Sequence, residues 1–251
     1  MIFRFGHRGS EPNSEKVAFT KWLIARCTEV RVGSRASDVV ALRELRRQSL
    51  LSLVVAAIVG FNVFVALAAQ PDRSHLRGRY FLVVWSYEGA AKVPQQCHTF
   101  ITVYDGNDLA LGRVVPDTIS WLPETGNVRL LGVFQGRNFS LAETLAIACQ
   151  SGKRTKSMGP FEITPDLYDR ALARIQYLES GNVKYSGSSP SQSAINCIEA
   201  AGDLTDTRFR PGPVWGFVAG RAIVRHLKPF LKQGGRVNKD VARMVLARPC
   251  G

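Results

Sequence analysis

The chain has 251 residues, a formal net charge of +13, five cysteines and four histidines. Its length predicts one or two ordinary domains, and its basic balance predicts anionic partners. No nucleic-acid-binding motif, zinc-hydrolase helix, Cys-x-x-Cys pair, serine-nucleophile elbow or glycine-rich phosphate loop is present, so we expect no nucleic acid, metal or cofactor.

The N-terminal part of the chain predicts a tail followed by a membrane anchor. Residues 1–47 are polar and carry ten Lys or Arg and five Asp or Glu, whereas 48–71 carry no charge at all. The run 49–69 is almost wholly Leu, Val, Ala, Ile and Phe, and about twenty apolar residues cross a bilayer as a helix. A buried globular helix of that length would show a polar face. We therefore predict a cytoplasmic basic tail over 1–47 and a single transmembrane anchor over 48–70.

The charge asymmetry across this anchor predicts its orientation. By the positive-inside rule the N-terminus is cytoplasmic and the rest of the chain lies outside the inner membrane, in the periplasm or its equivalent. Residues 66–68 read Ala-Leu-Ala, so secretion after signal-peptidase cleavage near Ala68 is the alternative. The segment after residue 70 has a net charge of +8 and suits anionic lipid or cell-wall polymer.

The exported part begins with strand patterns. Residues 80–87 and 96–104 are apolar, β-branched and aromatic, and 118–122 and 128–134 have the same character with turn residues between them. These four segments predict an antiparallel meander. In the second strand, alternation places His98, Phe100, Thr102 and Tyr104 on one face and Thr99, Ile101 and Val103 on the other.

Helical patterns follow the strands. Ser140 and Glu143 form a capping box that begins a helix ending near residue 150, and Thr164 caps a helix with Pro165 at its first position that ends near 179. We predict a basic loop at 153–157, short strands at 161–163 and 183–185, and two further helices at 214–231 and 238–246. The fold class is therefore α+β, as one domain over 75–251.

The stretch 193–201 carries the strongest chemical signal. Asn196 is a good N-cap, and Glu199 three residues later completes a capping-box pattern, so Cys197 lies at the first helical position. Unpaired N–H groups and the helix dipole there favour a thiolate, so we expect a lowered thiol pKa and a nucleophilic cysteine. A cysteine near the start of a buried helix is also typical of a core residue or of half a disulfide.

A nucleophilic cysteine needs a base. We favour His98, because a strand holds a base rigidly, and keep His226 as the alternative. Ser120, in the next predicted strand, is the nearest polar residue to orient His98. Backbone N–H groups at the start of the Cys197 helix, with the side-chain amide of Asn196, would hold an oxyanion.

The pairing of the cysteines distinguishes an enzyme with a cysteine nucleophile from a domain without catalytic activity. Cys27 lies on the predicted cytoplasmic side, whereas Cys97, Cys149, Cys197 and Cys250 are exported, where disulfides persist. Two disulfides would use all four and leave no nucleophile, which predicts a disulfide-stabilised binding or scaffold domain without chemistry. If Cys197 is free, we expect Cys97 to pair with Cys149.

A histidine in an early strand, followed about a hundred residues later by Asn196-Cys197 at a helix start, resembles the circularly permuted papain-like group. That group includes NlpC-like hydrolases and the relatives of lecithin retinol acyltransferase. The resemblance covers residues 80–206 and implies Cys197 as nucleophile and His98 as base. It implies a cysteine hydrolase or acyltransferase that acts on an amide or ester of cell-wall peptide or lipid. Thr99-Phe100 departs from the group, in which a small and then an aliphatic residue follow the histidine.

Overall fold

The computed structural model describes residues 72–188, 191 and 193–246. The predicted tail, anchor and cleavage site near Ala68 lie outside these residues, as does the predicted membrane orientation. None of the helices in the described ranges combines the length and the apolar character that a bilayer crossing needs. The described part of the chain is a mixed α and β structure with two sheets and six α-helices, in agreement with the predicted fold class.

The first sheet has four antiparallel strands, in the order β3-β2-β1-β6. They are β1 (Tyr80–Glu88), β2 (Cys97–Asp105), β3 (Asp117–Ile119) and β6 (Arg154–Ile163). β1 and β2 are paired along their whole lengths, with Tyr87 opposite His98. β3 is shorter and pairs with β2 only from Ile101 to Val103, so the first half of β2 has no strand on that side.

Both faces of this sheet are buried, which explains why β1 is a nearly continuous apolar run. Alternation divides the side chains between two hydrophobic clusters. Ile101 and Val103 of β2 belong to one cluster, and Phe100 and Tyr104 belong to the other, so the predicted division of this strand is confirmed.

The second sheet is smaller, with the order β4-β5-β7-β8. Its strands are β4 (Trp121–Pro123), β5 (Phe134–Asn138), β7 (Lys184–Tyr185) and β8 (Ala194–Ile195). The first three are antiparallel neighbours, and β8 runs parallel to β7. β8 delivers the chain to Asn196 and Cys197, so this sheet sets where the cysteine helix begins.

Helices cover both faces of the first sheet. They are α1 (Gly106–Ala110), α2 (Leu141–Gln150), α3 (Pro165–Glu179), α4 (Cys197–Gly202), α5 (Gly216–Leu227) and α6 (Lys239–Val245). The Ile101 cluster includes side chains of α3, α4 and α5, whereas the Phe100 cluster includes side chains of α1, α2 and α6. Short 3-10 turns lie at Ser74–Leu76, Pro94–Gln96, Lys228–Phe230 and Lys232–Gly235.

The capping predictions for α2 and α3 are confirmed. Ser140 and Glu143 form the reciprocal capping box of α2, and Thr164 accepts from the N–H of Leu167 with Pro165 at the first helical position of α3. These are local signals, which act within one turn of the helix and need no tertiary contact.

Several predicted elements are wrong. The predicted strand 118–122 breaks at Ser120 into β3 and β4, which lie in different sheets, and the strand predicted at 128–134 is instead β5, beginning at Phe134. Residues 153–157 are not a loop, because all but Lys153 belong to the ten-residue β6. β6 takes the position beside β1, so the meander comprises three strands and not four.

Candidate active site

A cavity of about 510 Å³ lies where the start of β2, the start of α4 and the segment before α5 meet. Three of the four predicted site residues, His98, Asn196 and Cys197, line it. The rest of the lining is mainly apolar and includes Pro94, Val128, Leu130, Tyr185, Ile198, Pro211, Pro213, Val214 and Trp215. Residues about one hundred positions apart in the sequence therefore share one pocket.

Cys197 is a free thiol at the first position of α4. Asn196 is the N-cap, and its side-chain oxygen accepts hydrogen bonds of 2.9 Å each from the N–H groups of Ile198 and Glu199. The predicted local geometry of this helix start is therefore present. The side-chain oxygen of Asn196 is therefore occupied by capping.

The thiol pKa contradicts the sequence expectation. Burial raises the pKa of Cys197 to about 11, although hydrogen bonds from the backbone N–H groups of Thr99, Cys197 and Ile198 act in the opposite direction. Helix-terminal N–H groups are present as predicted, but the thiol is only 6% exposed and the desolvation of a thiolate outweighs them. Cys197 is thus a neutral thiol at neutral pH.

The N–H of Thr99 also acts to lower the thiol pKa of Cys197, and the sequence did not predict this contact. β3 stops opposite Ile101, so no strand covers Thr99 on the α4 side of β2. That edge of β2 faces the start of α4, and the Thr99 N–H acts on the Cys197 sulfur. Only the early end of β3, a tertiary feature, frees this donor.

His98 is held from one side by Ser120. Its Nε2 lies 2.9 Å from Ser120 Oγ, and both residues are fully buried. The contact that we predicted between Ser120 and His98 is present, although the catalytic role of either residue stays a prediction. The other ring nitrogen, Nδ1, is buried and has no hydrogen-bond partner, so no hydrogen bond joins His98 to Cys197.

The surroundings of His98 keep it neutral. Its ring lies 5.4 Å from the ring of Phe100 and 5.3 Å from that of Tyr87, measured between centroids. Burial, together with the positive charge of Lys153, lowers the pKa of His98 to about 3. The cavity lining therefore carries a neutral imidazole and a neutral thiol, and not an imidazolium–thiolate pair.

A further hydroxyl lies behind Ser120. Thr144 Oγ1, in α2, is 2.7 Å from Ser120 Oγ and 2.8 Å from the carbonyl oxygen of Ser140. Thr144 is fully buried. Nothing in the sequence distinguishes it, because its link to His98 exists only once α2 packs beside the break between β3 and β4.

The cysteine pairing also departs from expectation. Cys97 and Cys197 are both free, and Cys149 is disulfide-bonded. The predicted Cys97–Cys149 pair is therefore wrong, and the partner of Cys149 lies outside the described residues. The arrangement in which every exported cysteine is paired is excluded as well, because two of the four are free thiols.

The segment before α5 forms the opposite wall of the cavity. Trp215 donates from Nε1 to the carbonyl oxygen of Lys92 over 2.8 Å, and the Phe217 N–H donates to Glu88 Oε1 over 2.8 Å. Gly216, between them, has φ +55 and packs against the Glu88 carboxylate, where a Cβ would come within 2.5 Å of Oε1. These contacts hold the wall against the last residue of β1, Glu88, and against the loop that follows β1.

Two polar side chains of the α4 region lie on the cavity lining beside the apolar wall. Glu199 is 5% exposed, and its Oε2 has no hydrogen-bond partner. Burial raises the pKa of Glu199, against the opposing charge of Arg208. Arg210 is exposed and supplies the only Lys or Arg side chain on the described lining.

His226, the alternative base, lies outside the described cavity lining. Its Nε2 is 3.0 Å from Thr205 Oγ1, and its ring packs 4.7 Å from that of Phe209. Within the described ranges, no three His, Cys, Asp or Glu side chains converge on a point where a metal ion would bind.

Comparisons of this chain with protein-family models, with curated proteins and with solved structures found no significant match.

Proposed function

We propose that this chain is a membrane-anchored, exported cysteine hydrolase or acyltransferase that acts on an amide or ester of cell-wall peptide or lipid. One observation carries the proposal. A free cysteine at a helix start and a histidine with an unpartnered ring nitrogen line the same cavity, and a buried hydroxyl contacts the other ring nitrogen. Nucleophile, base and orienting group are the three parts that nucleophilic catalysis needs.

The neutral state of both groups defines the first step. The Cys197 sulfur attacks the substrate carbonyl carbon while its proton passes to His98 Nδ1, so charge develops only during attack. The tight contact between sulfur and Nδ1 then forms in the complex with substrate, as is common for catalytic hydrogen bonds.

The N–H groups that contact the thiol would also donate hydrogen bonds to the oxyanion that develops during attack. The donors of Thr99 and Cys197 converge near the sulfur from β2 and from α4, and so from two rigid elements. The proton on His98 passes to the leaving amine or alcohol as the acyl group becomes a thioester on Cys197. Water completes hydrolysis, or a second alcohol or amine completes acyl transfer.

The apolar wall of the cavity supports an acyl or peptide side chain as the group bound beside Cys197. The basic charge of the exported part supports an anionic lipid or cell-wall polymer as the surface on which the substrate lies.

A non-enzymatic binding domain is the second candidate, and two observations favour it. The raised thiol pKa and the absence of a Cys197–His98 hydrogen bond among described residues are also what a cavity built only for binding would show. The disulfide of Cys149 would then serve stability alone.

Pre-steady-state kinetics with p-nitrophenyl acetate separate the two candidates. The full-length chain in detergent should release p-nitrophenolate in a burst equal to the protein concentration, followed by slower turnover. Cys97→Ser is the matched control and should keep the burst. A wild-type protein without a burst, at ester concentrations that saturate other cysteine hydrolases, would favour the binding domain.

A further inference from the structure

Two free thiols line one cavity, although the proposed chemistry uses only one of them. Cys97 is the first residue of β2 and Cys197 is the first residue of α4. Neither is in a disulfide, and both line the cavity of about 510 Å³. Both are largely protected from bulk solvent, with exposed fractions of 2% and 6%. Cys97 is therefore a second thiol at the site, and the acylation step does not explain it.

The packing of α4 on β2 brings the two thiols together. The backbone N–H of Thr99 donates to the Cys197 sulfur. Cys97 precedes Thr99 by two residues, and since a strand rises about 3.3 Å per residue, their Cα atoms are about 7 Å apart. Alternation puts the side chains of Cys97, Thr99 and Ile101 on one face of β2, and Ile101 packs in the cluster that includes side chains of α4. Both sulfurs therefore lie on the same face of the sheet, at neighbouring positions along β2.

The electrostatics of the site agree with this placement. α4 and β2 pack directly against one another, with Cα atoms within 8 Å. A negative charge on Cys97 raises the thiol pKa of Cys197, and charges on the two cysteines both raise the pKa of Tyr87. Because such effects weaken with distance, the two sulfurs and the Tyr87 hydroxyl share one neighbourhood.

Cys149 indicates the redox conditions that this domain meets. It is disulfide-bonded, and disulfides form and persist in oxidising compartments. Small disulfides in such a compartment exchange with protein thiols through a mixed-disulfide intermediate. A second thiol beside the first converts that intermediate into an internal disulfide.

We propose that Cys97 is a resolving cysteine, which joins Cys197 in a reversible disulfide when a small-molecule disulfide enters the cavity. The thiolate of one cysteine attacks the small disulfide, R–S–S–R, and one R–SH leaves. The second cysteine attacks the protein sulfur of the mixed disulfide, and the second R–SH leaves. The protein loses two electrons and two protons, and the small disulfide takes them up to become two thiols.

The internal disulfide occupies the nucleophile of the proposed hydrolase. Oxidation should therefore abolish the acyl burst, and a dithiol reductant should restore it. This effect on activity rests on the proposed function, whereas the bond between Cys97 and Cys197 does not depend on any activity. Burial raises the pKa of both thiols, so the exchange should be faster at higher pH, since only the thiolate attacks.

Peptide mapping detects the bond directly. Full-length protein in detergent is treated with 2-hydroxyethyl disulfide near pH 8.5, where an ordinary thiol is half ionised. Remaining thiols are blocked with N-ethylmaleimide, and the protein is digested with trypsin without reduction. Cys97 and Cys197 fall on different tryptic peptides, 93–113 and 185–208, and Cys149 falls on a third, 138–153. Cys97→Ser is the matched control, in which Cys197 can form the mixed disulfide but cannot complete the exchange.

We expect mass spectrometry to find peptide 93–113 linked to peptide 185–208, in protein that runs as a monomer on a non-reducing gel. Dithiothreitol should separate the two peptides and restore the burst. Cys97→Ser carried through the same steps shows any separate effect of reducing the disulfide of Cys149. The control should stop at the hydroxyethyl adduct of Cys197.

Three results overturn the proposal: a hydroxyethyl adduct on wild-type Cys197 with Cys97 still a thiol, two thiols that never react, or a bond that forms only between two chains. If the burst is present in reduced protein but no linked peptide forms, the switch fails and the proposed function stands. If the linked peptide forms but neither the reduced nor the oxidised protein gives a burst, the proposed function fails and the disulfide stands.

Discussion

Two free cysteines line the same cavity, and their surroundings differ. The pKa of both thiols is raised, chiefly by burial. At Cys197 three backbone N–H groups oppose that effect, whereas at Cys97 the nearby carboxylate of Glu88 adds to it and one N–H, from Gly89, and Lys153 oppose it. Burial therefore affects both thiols in the same direction and does not distinguish them. The number of N–H donors around the sulfur distinguishes them, and such donors are what a developing oxyanion requires.

The largest expected effect compares the two thiols directly. Cys197→Ser should slow acyl transfer from p-nitrophenyl acetate by more than about 10³-fold, because the nucleophile is lost. Cys97→Ser should change the rate by less than about threefold. Burst kinetics measure both, and circular dichroism checks that both variants fold. Equal losses in the two variants would remove the distinction that we draw between the cysteines.

The two histidines give the second effect. His98→Gln should lower the acylation rate by on the order of 10²- to 10⁴-fold, which is the usual contribution of a general base. His226→Gln should leave the rate nearly unchanged, since His226 contacts Thr205 and Phe209 outside the cavity. A larger loss of acylation rate in His226→Gln than in His98→Gln would identify His226, in α5, as the base.

Burial of neutral His98 also predicts a dependence of stability on pH. The folded pKa, about 3, is below the ordinary value of 6.5, so His98 contributes stability above pH 6.5 that is lost as pH falls towards 3. At pH 5 this loss amounts to about 2 kcal/mol in the free energy of unfolding. Urea unfolding between pH 7 and 5 should show it in the wild type and not in His98→Gln. If the free energy of unfolding changes with pH equally in the wild type and in His98→Gln, His98 is in contact with solvent in the folded protein.

A further effect on stability concerns the carboxylate beside Cys97. Gly216→Ala puts a Cβ against Glu88 and strains a left-handed residue, so the free energy of unfolding should fall by about 1–3 kcal/mol. Gly212→Ala is the matched control, because Gly212 is also left-handed, with φ +76, but has nothing within 4 Å of an added Cβ. The difference between the two losses in unfolding free energy measures how strongly Glu88 resists displacement by the added Cβ. Equal losses would show that Glu88 and the adjoining cavity wall move aside without a measurable loss of stability.

Sequence reasoning succeeded where the signal is local. The N-caps Ser140, Thr164 and Asn196 act within one helical turn, and the alternation of β2 follows from strand geometry alone. The contact between Ser120 and His98 was also expected, because adjacent strands bring such residues together.

It failed where tertiary structure decides. The break of the predicted strand at Ser120 sends β3 and β4 to different sheets, and no propensity marks it. The thiol pKa depends on how deeply α4 is covered, so the helix-start rule gave the wrong direction. Thr144 contacts Ser120, and the Thr99 N–H contacts the Cys197 sulfur. Both contacts join elements that are far apart in the chain, and one sequence does not reveal them.

The most direct measurement locates the acyl group. Full-length protein is mixed with p-nitrophenyl acetate, quenched in acid during the burst, digested and analysed by mass spectrometry. We expect an acetyl thioester on the peptide that contains Cys197, at nearly one per protein, and almost none on Cys97. We also expect His98→Gln to slow the appearance of this adduct greatly. Acetylation of Cys97 instead, or of Cys197 at the same rate without His98, would contradict the roles proposed for Cys197 and His98.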